Sequence, residues 1–335
     1  MRVHQVLYEI LIKKKLTSAS IKLLKQETIT DKLYHLASKN HLLPALYNTI
    51  KKYNLEDYFP LEFVNACKYF QELNEERNQQ IQDQIKAISI LFNKHNIDYC
   101  FLKGAALLIL NPYDHLSTRM IGDIDMLIDP NHLQIANSLL VENNYKIYEI
   151  SPDPAYKNHR HLPRLVSKNY IAAVELHSHI LEQPQDILKP KDILKNRQYL
   201  KSTNIPSLDH LWLHNVFNYQ INDEAFLTWN FSFKSLYDAL SLKPIEKTHQ
   251  YLSKFKNKYI RRYWLVNSLY INEISLKPNQ TESLKIRFIY LIYKYTITQN
   301  IYLKLIFLWN RKHTFLKRIW AFIFDKKYRR YVLKK

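Results

Sequence analysis

The chain has 335 residues, 47% hydrophobic and 24% charged, a balance that suits folded modules with their own cores and excludes global disorder. Its 49 Lys and Arg against 30 Asp and Glu leave a formal net charge of +19, which favours polyanionic partners without singling one out. Two cysteines, Cys67 and Cys100, form neither a CxxC pair nor a metal-ligand spacing, so a reduced, cytoplasmic protein is expected.

From Met1 to about Gln79 the apolar spacing is helical, with turn signals near Thr28–Asp31, Pro44 and Pro60. The first residues, MRVHQVLYEILIKKKL, lack an uninterrupted apolar run and a small-residue cleavage site, so no signal peptide is expected. Ile81, Ile85, Ile88, Leu91 and Phe92 then predict a helix ending near Asn96. Beyond it, short apolar runs alternate with helical ones. Tyr99–Leu102 reads as a strand and Ala105–Leu110 as a short helix stopped by Asn111-Pro112. Gly122–Ile128 reads as a second strand. Asp129-Pro130 has the form of a helix start, and Leu133, Ala136, Leu139 and Leu140 supply that helix's apolar face. Further strands are expected at Tyr145–Ile150 and Tyr170–Leu176, around a loop rich in Pro and His, SPDPAYKNHRHLP.

After Pro184 helical periodicity returns and continues to the basic, aromatic tail FLKRIWAFIFDKKYRRYVLKK. There the expectation is a last helix that packs its Trp and Phe into the core and leaves its basic face in water. Contact with an anionic membrane surface or with RNA stays open. No stretch reaches the length of a spanning helix; the nearest, residues 286–309, is broken by Lys294, Gln299, Asn300 and Lys304, so no stable membrane insertion is expected. A small α/β core over residues 81–183 is therefore expected, flanked by an N-terminal helical module over 1–80 and a C-terminal one over 184–335.

Side chains alternate along a strand, so Asp123 and Asp125 point to one face while Ile124 and Met126 point to the other. Two carboxylates held side by side repel unless a cation lies between them, and Mg²⁺ takes such oxygen ligands together with phosphates. A third acid, Glu175, follows in AAVELH, where Glu175 and His177 share a face. Three carboxylates on neighbouring strands suit two metal ions about 3.5–4 Å apart, as in-line phosphoryl and nucleotidyl transfer require.

Only two glycines occur in the chain, Gly104 and Gly122, and both lie beside this acidic motif. Glycine is used where φ must be positive or where the backbone closely approaches a ligand. Leu102-Lys103-Gly104-Ala105 joins a strand to a helix start, a place where backbone amides bind phosphate, and Lys103 adds a cation. Arg119, four residues before Asp123, is a candidate for a bidentate phosphate contact or for neutralising one of the two acids. His161 and His177 are expected to line the pocket, where either suits proton transfer from an acceptor hydroxyl. His214 is expected to be a satisfied core histidine. No zinc site is expected at the histidine pairs, because no further ligand is marked by spacing.

In order, LKGAAL, R-x-x-G-D-I-D-M-L-I, H-x-P-x-L-V and V-E-L-H resemble the nucleotidyltransferase superfamily that includes DNA polymerase beta. More narrowly, they resemble the bacterial group described as uncharacterised nucleotidyltransferases. The resemblance covers Tyr99 to His179, with a weaker extension to the helices bearing His214 and Asp238. It implies an α+β fold built on a small mixed sheet flanked by helices, with Asp123 and Asp125 as the acidic pair, Glu175 as the third acid and Gly104 as the glycine of the nucleotide loop. The implied reaction passes a nucleoside monophosphate from an NTP to an acceptor and releases pyrophosphate. Mg²⁺ or Mn²⁺ is the implied cofactor, with Lys103, Gly104 and Arg119 at the triphosphate. The acceptor stays open among RNA such as a tRNA end, a peptide or protein, and a small molecule. Where the superfamily has Gly-Gly or Gly-Ser in the loop, this chain has Gly104-Ala105, so the phosphate-binding hydroxyl is missing. The alternative is a binding module that has kept the fold without the chemistry.

Overall fold

The computed structural model describes residues 2–148, 160–182, 184–242, 257–310 and 312–333. Helices α1 (Arg2–Tyr8, running on into a π-turn at Glu9–Lys13), α2 (Ser18–Leu24), α3 (Glu27–Lys39) and α4 (Leu43–Lys52) come first. Pro44 opens α4, where a missing N–H costs nothing. The turn expected at Thr28–Asp31 is instead part of α3, because Ile29, Leu33 and Ala37 make a buried face that outweighs the local turn preference of Thr and Asp. Helix α5 (Leu61–Lys94) starts after Pro60 and runs for 34 residues. The Ile81 to Phe92 pattern is its second half, so residues 80 and 81 are consecutive within one helix.

Five strands follow: β1 (Tyr99–Phe101), β2 (Asp123–Ile128), β3 (Tyr145–Ile147), β4 (Leu165–Ser167) and β5 (Ala173–His177). They form one mixed sheet in the order β1-β2-β5-β4-β3, with β2 and β5 parallel and the other pairs antiparallel. Helix α6 (Lys103–Leu110) connects β1 to the loop before β2, and α7 (Leu133–Glu142) joins β2 to β3. Helix α7 starts later than Asp129-Pro130 suggests. The Asp129 carboxylate accepts the Asn131 N–H (2.9 Å), and His132 is turned to accept the Asp98 N–H through Nδ1 (2.9 Å), so the first helical residue is Leu133. Strand β4 carries no alternation long enough to read. Of the strand expected at Tyr145–Ile150, residues 149 and 150 lie outside the described residues, as do residues 151–159 of the Pro- and His-rich loop.

The region beyond Pro184 is not purely helical. After α8 (Pro190–Lys195), strands β6 (Gln198–Leu200) and β7 (Thr203–Ile205) form a hairpin that turns on Lys201 and Ser202, both left-handed at φ 49 and 63. Such turns favour Asn and Gly, and a Lys-Ser pair gives no signal of one. Helices α9 (Leu208–Phe217), α10 (Ala225–Thr228), α11 (Phe233–Leu242), α12 (Lys258–Ser268), α13 (Gln280–Tyr293), α14 (Thr296–Asn310), α15 (Lys312–Phe324) and α16 (Lys326–Leu333) complete the chain. One continuous core runs from Val6 to Ile274, so the N-terminal helices, the sheet and α8, α9, α11 and α12 share a single apolar interior. A smaller cluster of Trp229, Leu265, Val266 and Ile289 holds α13 against α12. The expectation that the tail buries its aromatics is overturned: Trp320 is 62% exposed and Phe324 70%, because these last helices mainly contact one another. Among the described residues no helix is long and apolar enough to cross a membrane.

Candidate active site

The polar side of α5 sets the acid-bearing strands. Asn78 Nδ2 donates to the carbonyls of Leu116 (2.8 Å) and Arg119 (2.9 Å), and the Arg77 guanidinium donates to those of Ile121 and Gly122 (3.1 Å each). Gln84 brackets Ala172, donating to its carbonyl (2.8 Å) and accepting its N–H (3.1 Å). One helix thereby fixes the approach to both β2 and β5, satisfying backbone groups that would otherwise be buried alone. With that register set, Asp123 pairs with Ala173, Asp125 with Glu175 and Leu127 with His177. Asp125 and Glu175 are consequently direct neighbours on one face, with Asp123 two residues outward. Ile124 and Met126 are fully buried on the other.

Lys103, His177 and Arg164 meet the three acids. Lys103 Nζ lies 2.5 Å from Asp125 Oδ1, and His177 Nε2 donates to the same oxygen at 2.8 Å. Arg164, directly before β4, grips Glu175 Oε1 through Nε (3.0 Å) and Nη2 (2.7 Å) and reaches Asp123 Oδ2 at 3.1 Å. Burial alone would push the Asp125 carboxyl up, but Lys103 and the His177 hydrogen bond outweigh it and hold it well below the usual range. Burial likewise opposes ionisation of Glu175, yet His177 and Arg164 bring it down to about 2. Asp123 goes the other way: burial and then the charges of Asp125 and Glu175 raise it.

His161 stacks at a tilt against His177, with ring centroids 4.9 Å apart, and its Nε2 is 3.7 Å from Glu175 Oε2. Its Nδ1 meets the Leu162 carbonyl at 2.7 Å; a carbonyl only accepts, so Nδ1 carries the proton. Burial lowers the His161 pKa, so the neutral ring presents Nε2 as an acceptor.

Ligand atoms of Asp125, Glu175 and His177 lie within 4.8 Å of one another, a spacing compatible with a shared metal ion. The donor chemistry fits a divalent cation. Three carboxylates converge, and the charges that now balance them sit on two long, flexible side chains. Asp123 lies outside that closest group but on the same face, where Arg164 links it to Glu175.

Neither glycine has a positive φ; the left-handed residue is Lys103, at φ 47. That turn between β1 and α6 sends its ammonium to Asp125, a conformation that is uncommon away from glycine. A Cβ on Gly104 would sit 3.2 Å from Ile121 Cγ1 and Cγ2, so this glycine permits close packing of α6 on the loop before β2. Gly122 borders open space.

Arg119 is not paired with either strand acid. It is buried against Asp238 of α11, with Nε 3.0 and 3.1 Å from the two carboxylate oxygens, and Tyr113 donates to Asp238 Oδ1 at 2.6 Å. Lys103 and Arg119 nevertheless line one cavity of about 190 Å³ between α6, α9 and α11, together with His214, Asp223, Lys234 and Asp238. Burial, then the charge of Arg119, lowers Lys234 to about 8. His214 is not the satisfied core histidine expected. It is 2% exposed, its Nε2 has no hydrogen-bond partner among the described residues, and burial followed by the Lys103 charge lowers it to about 3.

Arg164, Lys234 and Asp238 were not marked as site residues by the sequence. Arg164 is one of the two unspecified positions inside His161-x-Pro163-x-Leu165-Val166, and Asp238 is a lone acid in the largely apolar helix α11, which the resemblance reached only weakly. Among comparisons with known proteins, a family model described as uncharacterised nucleotidyltransferase matches residues 26–240. The match runs from α3 to α11 and includes every residue of the site. Comparison with curated proteins returned no match.

Proposed function

The chain belongs to the uncharacterised nucleotidyltransferase family, and from that premise we propose that it moves a nucleoside monophosphate from an NTP to an acceptor hydroxyl or phosphate and releases pyrophosphate. The observation that carries this reading is the pairing of Asp125 with Glu175 across parallel strands, beside a lysine-lined cavity. Asp123, Asp125 and Glu175 would hold a divalent ion, Mg²⁺ or Mn²⁺ from their oxygen donors, and the ion would supply charge neutralisation at the phosphates.

The protein's own groups do the rest. Lys103 leaves Asp125 for the triphosphate, where the first amides of α6 at Gly104 add donors. Arg119 contributes positive potential and holds Asp238 in the cavity wall, and Lys234 faces the same space. Glu175, gripped by Arg164, is a weak base. The neutral His161 Nε2 is better suited to take the proton as the acceptor oxygen bonds to the α-phosphorus. The bridging bond to the β-phosphate breaks, and pyrophosphate leaves with its electrons. The acceptor belongs to one of three classes: RNA such as a tRNA end, a peptide or protein, or a small molecule.

Thermal unfolding of wild type and Asp125→Asn, with each of four nucleoside triphosphates and with or without Mg²⁺, tests this without an acceptor. Saturation near one hundred times Kd stabilises by about 2.7 kcal/mol. A metal-dependent shift in wild type alone supports the reading, and no shift with any nucleotide sinks it. One observation favours a second reading, a nucleotide-binding module: Ala105 stands where a phosphate-binding serine is expected. Metal-independent nucleotide binding that survives Asp125→Asn would favour that module.

A further inference from the structure

We propose that α13 to α16 form a docking surface for an anionic lipid bilayer, on which the protein lies without spanning. The family match stops at residue 240, so α13 to α16 lie outside the part of the chain that it covers.

The argument starts with apolar side chains that the fold leaves in water. On α14, Ile297, Ile301, Leu305 and Leu308 recur at spacings of four, four and three residues, and all four are exposed. On α15, Leu316, Trp320, Ile323 and Phe324 repeat the pattern, and Trp320 stacks on Phe324 at 4.9 Å. Each set is one face of its helix, the face that a surface helix normally turns inward. Exposed apolar area on this scale marks an interaction site.

Charge selects the occupant. Residues 280–335 carry fourteen Lys and Arg against two acids, Glu282 and Asp325, so they hold twelve of the nineteen net positive charges in about a sixth of the chain. A helix with aromatic and aliphatic residues on one side and Lys and Arg around them is the pattern that settles at a headgroup boundary. Anionic lipid draws in each basic residue near the surface, and Trp and Phe enter the acyl boundary. A second copy of this chain would bring a like charge against the surface. RNA would leave the Ile and Leu stripes in water, since they offer no ring for a base to stack on. No described helix here is long and apolar enough to cross, so the contact is interfacial.

The test uses the full chain and vesicles of phosphatidylcholine alone or mixed with phosphatidylglycerol. Trp309 and Trp320 are exposed whereas Trp212, Trp229 and Trp264 are buried, so an emission shift on vesicles reports the tail. Wild type should co-sediment with the anionic vesicles and shift its emission to the blue, with both effects weakened by salt. Trp320→Asp with Phe324→Asp should weaken binding more than about tenfold. Lys317→Glu with Lys326→Glu and Lys327→Glu should weaken it on anionic vesicles by a similar or larger factor. These positions are exposed, so the unfolding midpoint and the nucleotide response of each variant should match wild type. Failure of wild type to bind either vesicle overturns the proposal, as does unchanged binding by the aromatic variant. Self-association or RNA binding through these residues, without vesicle binding, overturns it as well. Loss of nucleotide response with vesicle binding intact would count against the proposed reaction and leave this surface standing.

Discussion

Lys103 Nζ and Asp125 Oδ1 are 2.5 Å apart, so the left-handed turn after β1 and the middle of β2 are joined by an ion pair at the centre of the acidic cluster. Asp125 is 2% exposed and the Lys103 side chain 27%, which makes the lysine the mobile half.

A consequence is competition between Lys103 and a divalent ion for the same carboxylate. Lys103→Met should lower stability by about 1–3 kcal/mol without metal, less than for a wholly buried pair because Lys103 is partly solvated. Mg²⁺ should restore part of that loss and bind the variant more tightly than wild type. Urea unfolding with and without Mg²⁺ measures both effects, and a variant indifferent to the ion would show that lysine and metal do not share the site.

The pair of Arg119 and Asp238 ties the loop before β2 to α11 from inside the protein. Arg119→Met or Asp238→Leu should each destabilise by about 3–5 kcal/mol by stranding a buried polar partner. Arg119→Met combined with Asp238→Leu should recover much of the loss. Denaturant titration of the three variants checks this, and additive losses in the double variant would contradict it.

His214 gives the protein an acid sensitivity of calculable sign. Its folded pKa, about 3, lies below its ordinary 6.5, so between these values the unfolded chain binds more protons than the folded one. Stability linked to His214 is thus complete above about pH 6.5 and is lost progressively as pH falls toward 3. Unfolding midpoints at pH 7.5 and 5 should differ less in His214→Gln than in wild type.

The two glycines should respond differently to alanine. Gly104→Ala gains about 1 kcal/mol of helix propensity but meets Ile121 at 3.2 Å, and the overpacking should leave a net loss of about 0.5–2 kcal/mol. Gly122→Ala meets nothing within 4 Å and has no left-handed φ to satisfy, so its stability should stay within about 0.5 kcal/mol of wild type. Equal losses at both positions would show that Gly122 is constrained by more than its visible neighbours.

Much of the site was legible from short-range pattern. Two-residue alternation placed Asp123 and Asp125 on one strand face opposite Ile124 and Met126, and it paired Glu175 with His177. The strand–Lys103–Gly104–helix succession was readable because a short apolar run, a breaker and a second apolar run stand in direct sequence. Less visible were the partners. Arg164 and Lys103 reach the acids from 11 and 22 residues away in sequence, and Asp238 reaches Arg119 across 119. The hairpin at Lys201 and Ser202 and the three-residue strand β4 lacked the turn residues or the length that make such elements readable. The aromatic tail misled because hydrophobic spacing shows which face a helix offers, and says nothing of whether a neighbour covers it.

By itself the sequence determined the alternation of strands and helices in the core, the resemblance to nucleotidyltransferases with the α+β class it implies, and the facing of the acids within each strand, since these follow from local periodicity and motif order. Only the tertiary structure decided that Asp125 and Glu175 stand side by side and that Lys103 and Arg164 balance them. It also decided that Arg119 is spent on Asp238, and that the last helices keep their apolar faces in water. Strand register, ion pairing and burial are set by contacts between residues distant in the chain, and no local pattern encodes which of several available charges will meet.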